Sequence, residues 1–157
     1  MRFRAKSPAR VRDELTALAR RHRHFSVNAA DNILDLEQLR PLLTQLAADG
    51  ADYALFYEVK ADLARADVRL LHQAGVRTLQ PGIESLSTRL LRLMQKGTRA
   101  STNVNLLRWA RYYGIACHWN VLFGFPGEAR EDYDVQARLA RQLVHLDPPG
   151  GYMRIGR

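Results

Sequence analysis

Cysteine is nearly absent from these 157 residues, Cys117 being the single one. An internal disulfide framework is therefore excluded, and one thiol cannot by itself hold a zinc ion or an iron–sulfur cluster. Long apolar runs are missing as well. No stretch approaches the ~18 residues of a membrane span, and the arginine-rich start lacks the apolar centre of a signal peptide. A cytoplasmic protein without membrane contact is the expectation. Lysine is scarce too. All but three of the 24 basic residues are arginine, and against 16 acidic residues they leave a net charge of +8. Arginine suits carboxylates and phosphates, so an anionic partner is one reading of that excess. The plainer one is solvation. Arg10, Arg12, Arg20, Arg21, Arg138 and Arg141 fall on the polar faces of predicted helices.

An apolar fraction of 46% is ordinary for a globular chain, and the length suits one domain. Ser7 before Pro8 reads as the start of a helix to about residue 21, with Val11, Leu15 and Leu18 at helical spacing. Further helices are predicted at about 35–48, from Asp62 or Asp67 to Ala74, and near 86–95, 101–113 and 130–145. Between them lie strand-like segments: Phe25–Ala29, Tyr53–Val59, Val76–Gln80, Ile115–Phe123 and Tyr152–Ile155. This alternation predicts an α/β fold built on a parallel sheet of about five strands with outer helices. The first helix has no strand before it and the last strand no helix after it. Both edges are thus predicted to be open, which invites self-association and gives the chain the look of a piece of something larger.

Polar residues collect where the strands stop. Side chains alternate across a strand, so Glu58 with Lys60, Thr78 with Gln80, and His118 with Asn120 each share a face. If those faces line one mouth, Asn28, Asp31, Glu58, Lys60, Gln80, Glu84, His118 and Asn120 converge there. The competing reading is a Glu58–Lys60 ion pair among hydrogen-bonded polar residues. Gly82-Ile83-Glu84-Ser85 is followed by Lys96-Gly97-Thr98 and later by Gly124-Phe125-Pro126-Gly127-Glu128. The last run allows close backbone approach and could present main-chain donors ahead of a helix, or be a plain turn. His22-Arg23-His24 reads as a solvated helix end rather than a metal site, and Cys117 as a buried apolar residue. Trp109, Tyr112, Tyr113 and Trp119 read as packing. No basic strand studded with aromatics suggests nucleic acid.

These runs, together with Phe3-Arg4-Ala5-Lys6-Ser7-Pro8, Asp31-Asn32-Ile33-Leu34, Phe56-Tyr57-Glu58-Val59-Lys60-Ala61, Leu93-Met94-Gln95-Lys96-Gly97 and Trp119-Asn120-Val121-Leu122-Phe123, resemble the radical S-adenosylmethionine (radical SAM) superfamily. Within it they are most similar to the cobalamin-domain-associated enzymes that mature ribosomal peptides. The resemblance implies a partial (β/α) TIM-type barrel, with S-adenosylmethionine across the C-terminal strand ends and a peptide as substrate. It implies cofactor-binding roles for Asp31, Asn32, Glu58, Lys60, Gln80, Gly82, Glu84, Ser85, Asn120, Gly124 and Gly127. Glu84 and Ser85 would lie beside ribose and methionine, and Asn120 with the Gly124–Glu128 run near adenine. The family's CxxxCxxC motif for a 4Fe-4S cluster is not in this sequence. Since Met1–Pro8 resembles the family stretch just after those cysteines, the resemblance puts the first strand and cluster loop ahead of Met1. It therefore implies an incomplete core domain over residues 1–157, inactive alone, whose complete form uses the cluster, with cobalamin as an optional further cofactor. Two alternatives stay open: a non-catalytic module binding a nucleotide-like ligand or peptide, and an ordinary barrel enzyme using Glu58 and Lys60 as acid and base.

Overall fold

The computed structural model describes residues 6–30, 33–50 and 52–154. In chain order these form α1 (Pro8–His22), β1 (Ser26–Asn28), α2 (Leu36–Asp49), β2 (Ala54–Val59), α3 (Arg65–Gln73), β3 (Val76–Pro81), α4 (Thr88–Leu93) and α5 (Ala100–Tyr113). Then come β4 (Ala116–Cys117), β5 (Asn120–Phe123), α6 (Arg130–Gln142) and β6 (Gly151–Arg154). Among the described residues every strand pairing is parallel, in the orders β1-β2-β3-β4 and β5-β6. The two sheets are stitched where β3 runs on past its end: Glu84 bridges to Val121, and Leu122 N donates to Glu84 O at 2.9 Å. Five strand positions thus succeed one another in parallel, as the alternation predicts, and form the open part of a barrel that the resemblance implies.

Period-two burial assigns the faces. Along β2, Leu55, Tyr57 and Val59 are buried while Phe56 and Glu58 are half-exposed. The buried set joins Val68 and Leu71 of α3, Leu106 and Ala110 of α5, and Leu42, Leu43 and Leu46 of α2 in one core between sheet and helices. Burying such side chains contributes about 1.5–3 kcal/mol each. Among the described residues no helix covers the other face of the sheet. Gly75 marks how tightly helix and strand approach, because a Cβ there, at φ +92°, would lie 2.8 Å from Tyr53 O.

Three sequence expectations need correction. The segment Ile115–Phe123 is two strands, not one. Cys117 N donates to Asp147 Oδ2 at 2.7 Å, and Trp119 O accepts from Gly150 N at 2.6 Å, so the chain turns from one sheet to the other between them. Neither Asp62 nor Asp67 is the N-cap of α3. That residue is Ala64, and Asp67, in the first turn, accepts from its N–H at 3.1 Å. Finally, α6 stops at Gln142, leaving Val144 81% exposed where the sequence predicts that the helix continues.

Candidate functional site at the strand ends

Register brings the polar residues of neighbouring strands side by side. Asn28 pairs with Phe56 and Phe56 with Thr78, while Glu58 pairs with Gln80. His118 N donates to Leu79 O at 2.8 Å, which carries the Glu58–Gln80 row on to His118. In parallel neighbours such partners point to the same face, roughly 4.8 Å apart. Asn28, Lys60, Gln80, His118 and Asn120 are exposed and Glu58 is half-buried, all on the face that bears no described helix. Among the described residues no ion pair joins Glu58 to Lys60, so the two are not spent on each other. Asp31 and Asn32 lie outside the described residues.

Beyond β3 the chain makes a tight turn. Ser85 N donates to Ile83 O at 2.6 Å across Glu84, whose φ is +60°. A non-glycine residue there is in a sparsely populated conformation, costing on the order of 1 kcal/mol. The turn aims the Glu84 carboxylate at Lys96, with Oε1 2.7 Å from Nζ. Alternation puts Gly82 on the same face as Thr78 and Gln80, and a Cβ at Gly82 would meet Lys96 Nζ at 3.4 Å. The ion pair therefore sits over the mouth where Gly82 leaves room. Lys96 is a residue to which the sequence reading, though it marks the Lys96-Gly97-Thr98 run, assigns no role. It is placed by the end of α4: Gln95, at φ +55°, donates to Arg92 O, and Lys96 N donates to Leu91 O. These are the two hydrogen bonds of a Schellman motif.

Behind the turn lies a buried polar network. Asn103, 0% exposed, donates through Nδ2 to Ile83 O at 3.0 Å and to Ser85 O at 2.9 Å. Gln136 Oε1 accepts from the Ser85 hydroxyl at 3.1 Å and from Leu86 N at 2.9 Å. Ser87 Oγ donates to Asp132 Oδ1 at 2.8 Å, and Arg89 pairs with the other Asp132 oxygen while its Nη2 donates to Gly127 O at 2.8 Å. Ser85 is therefore not at the mouth. Its hydroxyl faces the helices, and its service is to hold Glu84 in position.

The Gly124–Glu128 turn is likewise held by its own side chain. Glu128 Oε2 accepts from Gly124 N at 2.8 Å, Phe125 N at 2.9 Å and the Tyr133 hydroxyl at 2.5 Å. Two of the main-chain donors expected to face a ligand, Gly124 N and Phe125 N, are committed to this carboxylate. The Tyr133 hydrogen bond, then those from Phe125 and Gly124, keep Glu128 below the usual carboxylate range against the opposing effect of burial. Burial, with Glu128 beside it, pushes Tyr133 up to about 12. At Asp132 burial acts upward, but the hydrogen bonds from Ser87 and Ala129 N and the charge of Arg89 outweigh it, and the pKa is lowered.

Among the described residues, no three His, Cys, Asp or Glu side chains gather as a metal site. Cys117 is 3% exposed, and burial, then the charge of Asp147, push its thiol up to about 12, far from the thiolate a cluster or nucleophile needs. A largely apolar hollow of about 520 Å³ lies on the opposite, helix-bearing side, between α6 and the face of β5 and β6 that carries Trp119, Val121 and Tyr152. No described helix is long and apolar enough to cross a membrane.

Comparison with known proteins bears on this arrangement. Residues 1–140 match the Radical SAM superfamily. The chain is 24% identical over 145 residues to an uncharacterized methyltransferase of Pyrococcus horikoshii, PH0819, covering 90% of this chain and 32% of that protein. Its fold is similar to the radical S-adenosylmethionine methyltransferase TsrM of Kitasatospora setae with cobalamin and a [4Fe-4S] cluster bound. There the TM-score is 0.79 with 21% identity, over 95% of this chain and 31% of that one. It is also similar to the cobalamin-dependent S-adenosylmethionine radical enzyme OxsB, at TM-score 0.71 and 17% identity over 90% and 23%. The chain thus spans about a third of the length of PH0819 and of TsrM.

Proposed function

The chain belongs to the radical SAM superfamily, and on that premise we propose that its open strand-end face is the S-adenosylmethionine-binding part of a radical SAM enzyme that modifies a ribosomally made peptide. Complete members of the superfamily use S-adenosylmethionine with a 4Fe-4S cluster. The observation that carries the proposal is the pairing of Glu58 with Gln80 at the ends of β2 and β3, followed on the same uncovered face by Gly82 and the Glu84–Lys96 ion pair, where βα folds gather their ligand groups.

The residues suit that ligand in charge and shape. Glu84 offers a carboxylate to the methionyl ammonium and Lys96 an ammonium to the methionyl carboxylate, so a zwitterion can replace each partner of their present ion pair. Gly82 keeps the space beside them free of a side chain. Glu58 and Gln80 lie next along the row as acceptor and donor for ribose hydroxyls, with Lys60 at the end of β2, and Asn120 offers an amide toward the base. Asn103, Ser85 and Gln136 act by holding the Glu84 turn. When bound, the sulfonium cofactor supplies either a transferable methyl group or, given an electron, a radical.

The residues present do not fit the cluster. One buried, protonated Cys117 cannot supply three thiolates, so within this chain's own residues no electron source is built, and none is assigned. That same observation favours a second reading, a nucleoside-binding module without redox chemistry. Similarity to TsrM and OxsB, whose structures contain cobalamin, supports cobalamin as a further cofactor of the peptide-modifying enzyme. The reading includes a cytoplasmic location and self-association through the edge strands β1 and β6.

Calorimetric titration separates these ideas from no binding at all. The purified chain is expected to bind S-adenosylmethionine and S-adenosylhomocysteine, with Glu84→Ala weakening both by roughly 10-fold, the worth of one charge-assisted contact. Absence of heat at millimolar ligand, or Glu84→Ala binding as well as the parent, contradicts the assignment.

A further inference from the structure

On the helix-bearing side of the sheet, α3 and α5 pack side by side and expose a cluster that the proposed function leaves unused. Trp109 carries two guanidiniums, Arg65 and Arg108, each 4.5 Å from its ring centroid. Arg65 also lies 5.6 Å from the Tyr112 ring, and its Nε donates to the Tyr113 hydroxyl at 3.2 Å. Tyr112 packs edge-on against Trp109 and Tyr113, with ring centroids 5.8 and 4.9 Å away, and is still 66% exposed.

The charges here are unbalanced. α5 contains no acidic residue, and the one on α3, Asp67, is engaged by Arg40 at 2.8 Å. Among the described residues neither Arg65 nor Arg108 has a carboxylate within ion-pair distance, and Arg69 and Arg111 lie exposed on the same two helices without one. Two arginines held in place by stacking have already lost part of the side-chain entropy that makes exposed ion pairs weak. Both guanidinium-bearing side chains are exposed, and Arg108 Nη2 donates to Asn105 Oδ1 at 2.8 Å.

We infer that this α3–α5 face is a docking surface for an acidic peptide segment, its carboxylates meeting the exposed guanidiniums of Arg65 and Arg108, which have no carboxylate partner among the described residues, and its side chains resting on Tyr112. A carboxylate accepts two parallel N–H donors from a guanidinium edge. Single-stranded nucleic acid fits less well, because base stacking needs open aromatic faces and Trp109 is already covered by guanidinium.

Fluorescence anisotropy with a fluorescein-labelled octaglutamate peptide at about 0.15 M ionic strength, where the Debye length is about 8 Å, tests the inference. The intact chain is expected to bind, and Arg65→Gln with Arg108→Gln to weaken binding on the order of tenfold, the loss of two charge-assisted contacts at an exposed site. Arg20→Gln with Arg21→Gln on α1, which removes equal charge, is expected to change binding less than about twofold, since screening confines exposed charges to roughly a Debye length. Arg65→Lys with Arg108→Lys recovers part of the loss. The inference is overturned by equal losses in the α3–α5 and α1 pairs, by lysine variants as weak as glutamine ones, or by no binding at millimolar peptide. It is also overturned if labelled oligothymidylate binds more tightly with the same arginine dependence.

Discussion

Asp132→Ala will destabilise the fold by about 3 kcal/mol, the usual cost of opening a buried hydrogen-bonded charge network. Asp132 is 3% exposed and holds three groups at the starts of two helices: Ser87, the N-cap of α4, Arg89 in its first turn, and Ala129 N at the start of α6 at 3.1 Å. Removal leaves the Ser87 hydroxyl buried without its acceptor and frees Arg89 from Gly127. The loss will appear as a lower urea midpoint with an unchanged slope. Asp132→Asn will cost less, since it keeps the shape and one acceptor. Acid should reproduce the effect. The folded-state pKa of Asp132 is lowered, so its contribution is fully present above the unfolded carboxylate value and is lost as pH falls through the folded one. Wild type will therefore lose stability toward low pH more steeply than Asp132→Asn. Parallel pH curves, or a variant within 0.5 kcal/mol of wild type, a margin typical of surface changes, would show the network to be incidental.

Reconstitution with iron and sulfide under anaerobic conditions gives the second large effect, an all-or-none one. This chain alone will take up no 4Fe-4S cluster: the charge-transfer absorption near the visible edge will be absent, and reductant will not cleave S-adenosylmethionine. The reason is local. The only thiol is buried, pushed up to about 12, and has its N–H tied to Asp147. Cys117→Ser is accordingly expected to change neither iron uptake nor nucleoside binding. Four irons per chain with a reduced-cluster electron resonance signal would contradict both the cysteine argument and the structure around Cys117.

How much of the fold and site is legible in the sequence depends on whether the determining contacts are local. Strand and helix order comes from apolar runs punctuated by Gly50, Gly75 and Gly114, each beside the helix it ends. The shared face of Glu58, Gln80, His118 and Asn120 comes from alternation, and the register confirms the first two as neighbours. The hidden features depend on partners far along the chain. The break after Cys117 is made by Asp147, thirty residues on, and the inward turn of Ser85 by Gln136, fifty-one residues on. No periodicity reports either. Lys96 stands twelve residues after Glu84 in plain view, but only a structure shows the left-handed Gln95 that swings it over Gly82. The glycines of the Gly124–Glu128 run do mark a tight turn, yet in sequence the carboxylate that consumes its donors reads as a dipole-favoured charge rather than as a cap.

The uncovered strand ends as a nucleoside seat are tested most directly by tracking backbone amide resonances of the labelled chain during titration with S-adenosylmethionine. Shifts confined to Glu58, Lys60, Gln80, Gly82, Glu84, Lys96 and Asn120, with α3 and α5 unmoved, are the outcome the geometry demands. Shifts centred instead on the apolar hollow lined by α6 and Tyr152, or none at saturating ligand, would place the seat elsewhere and undo the proposal.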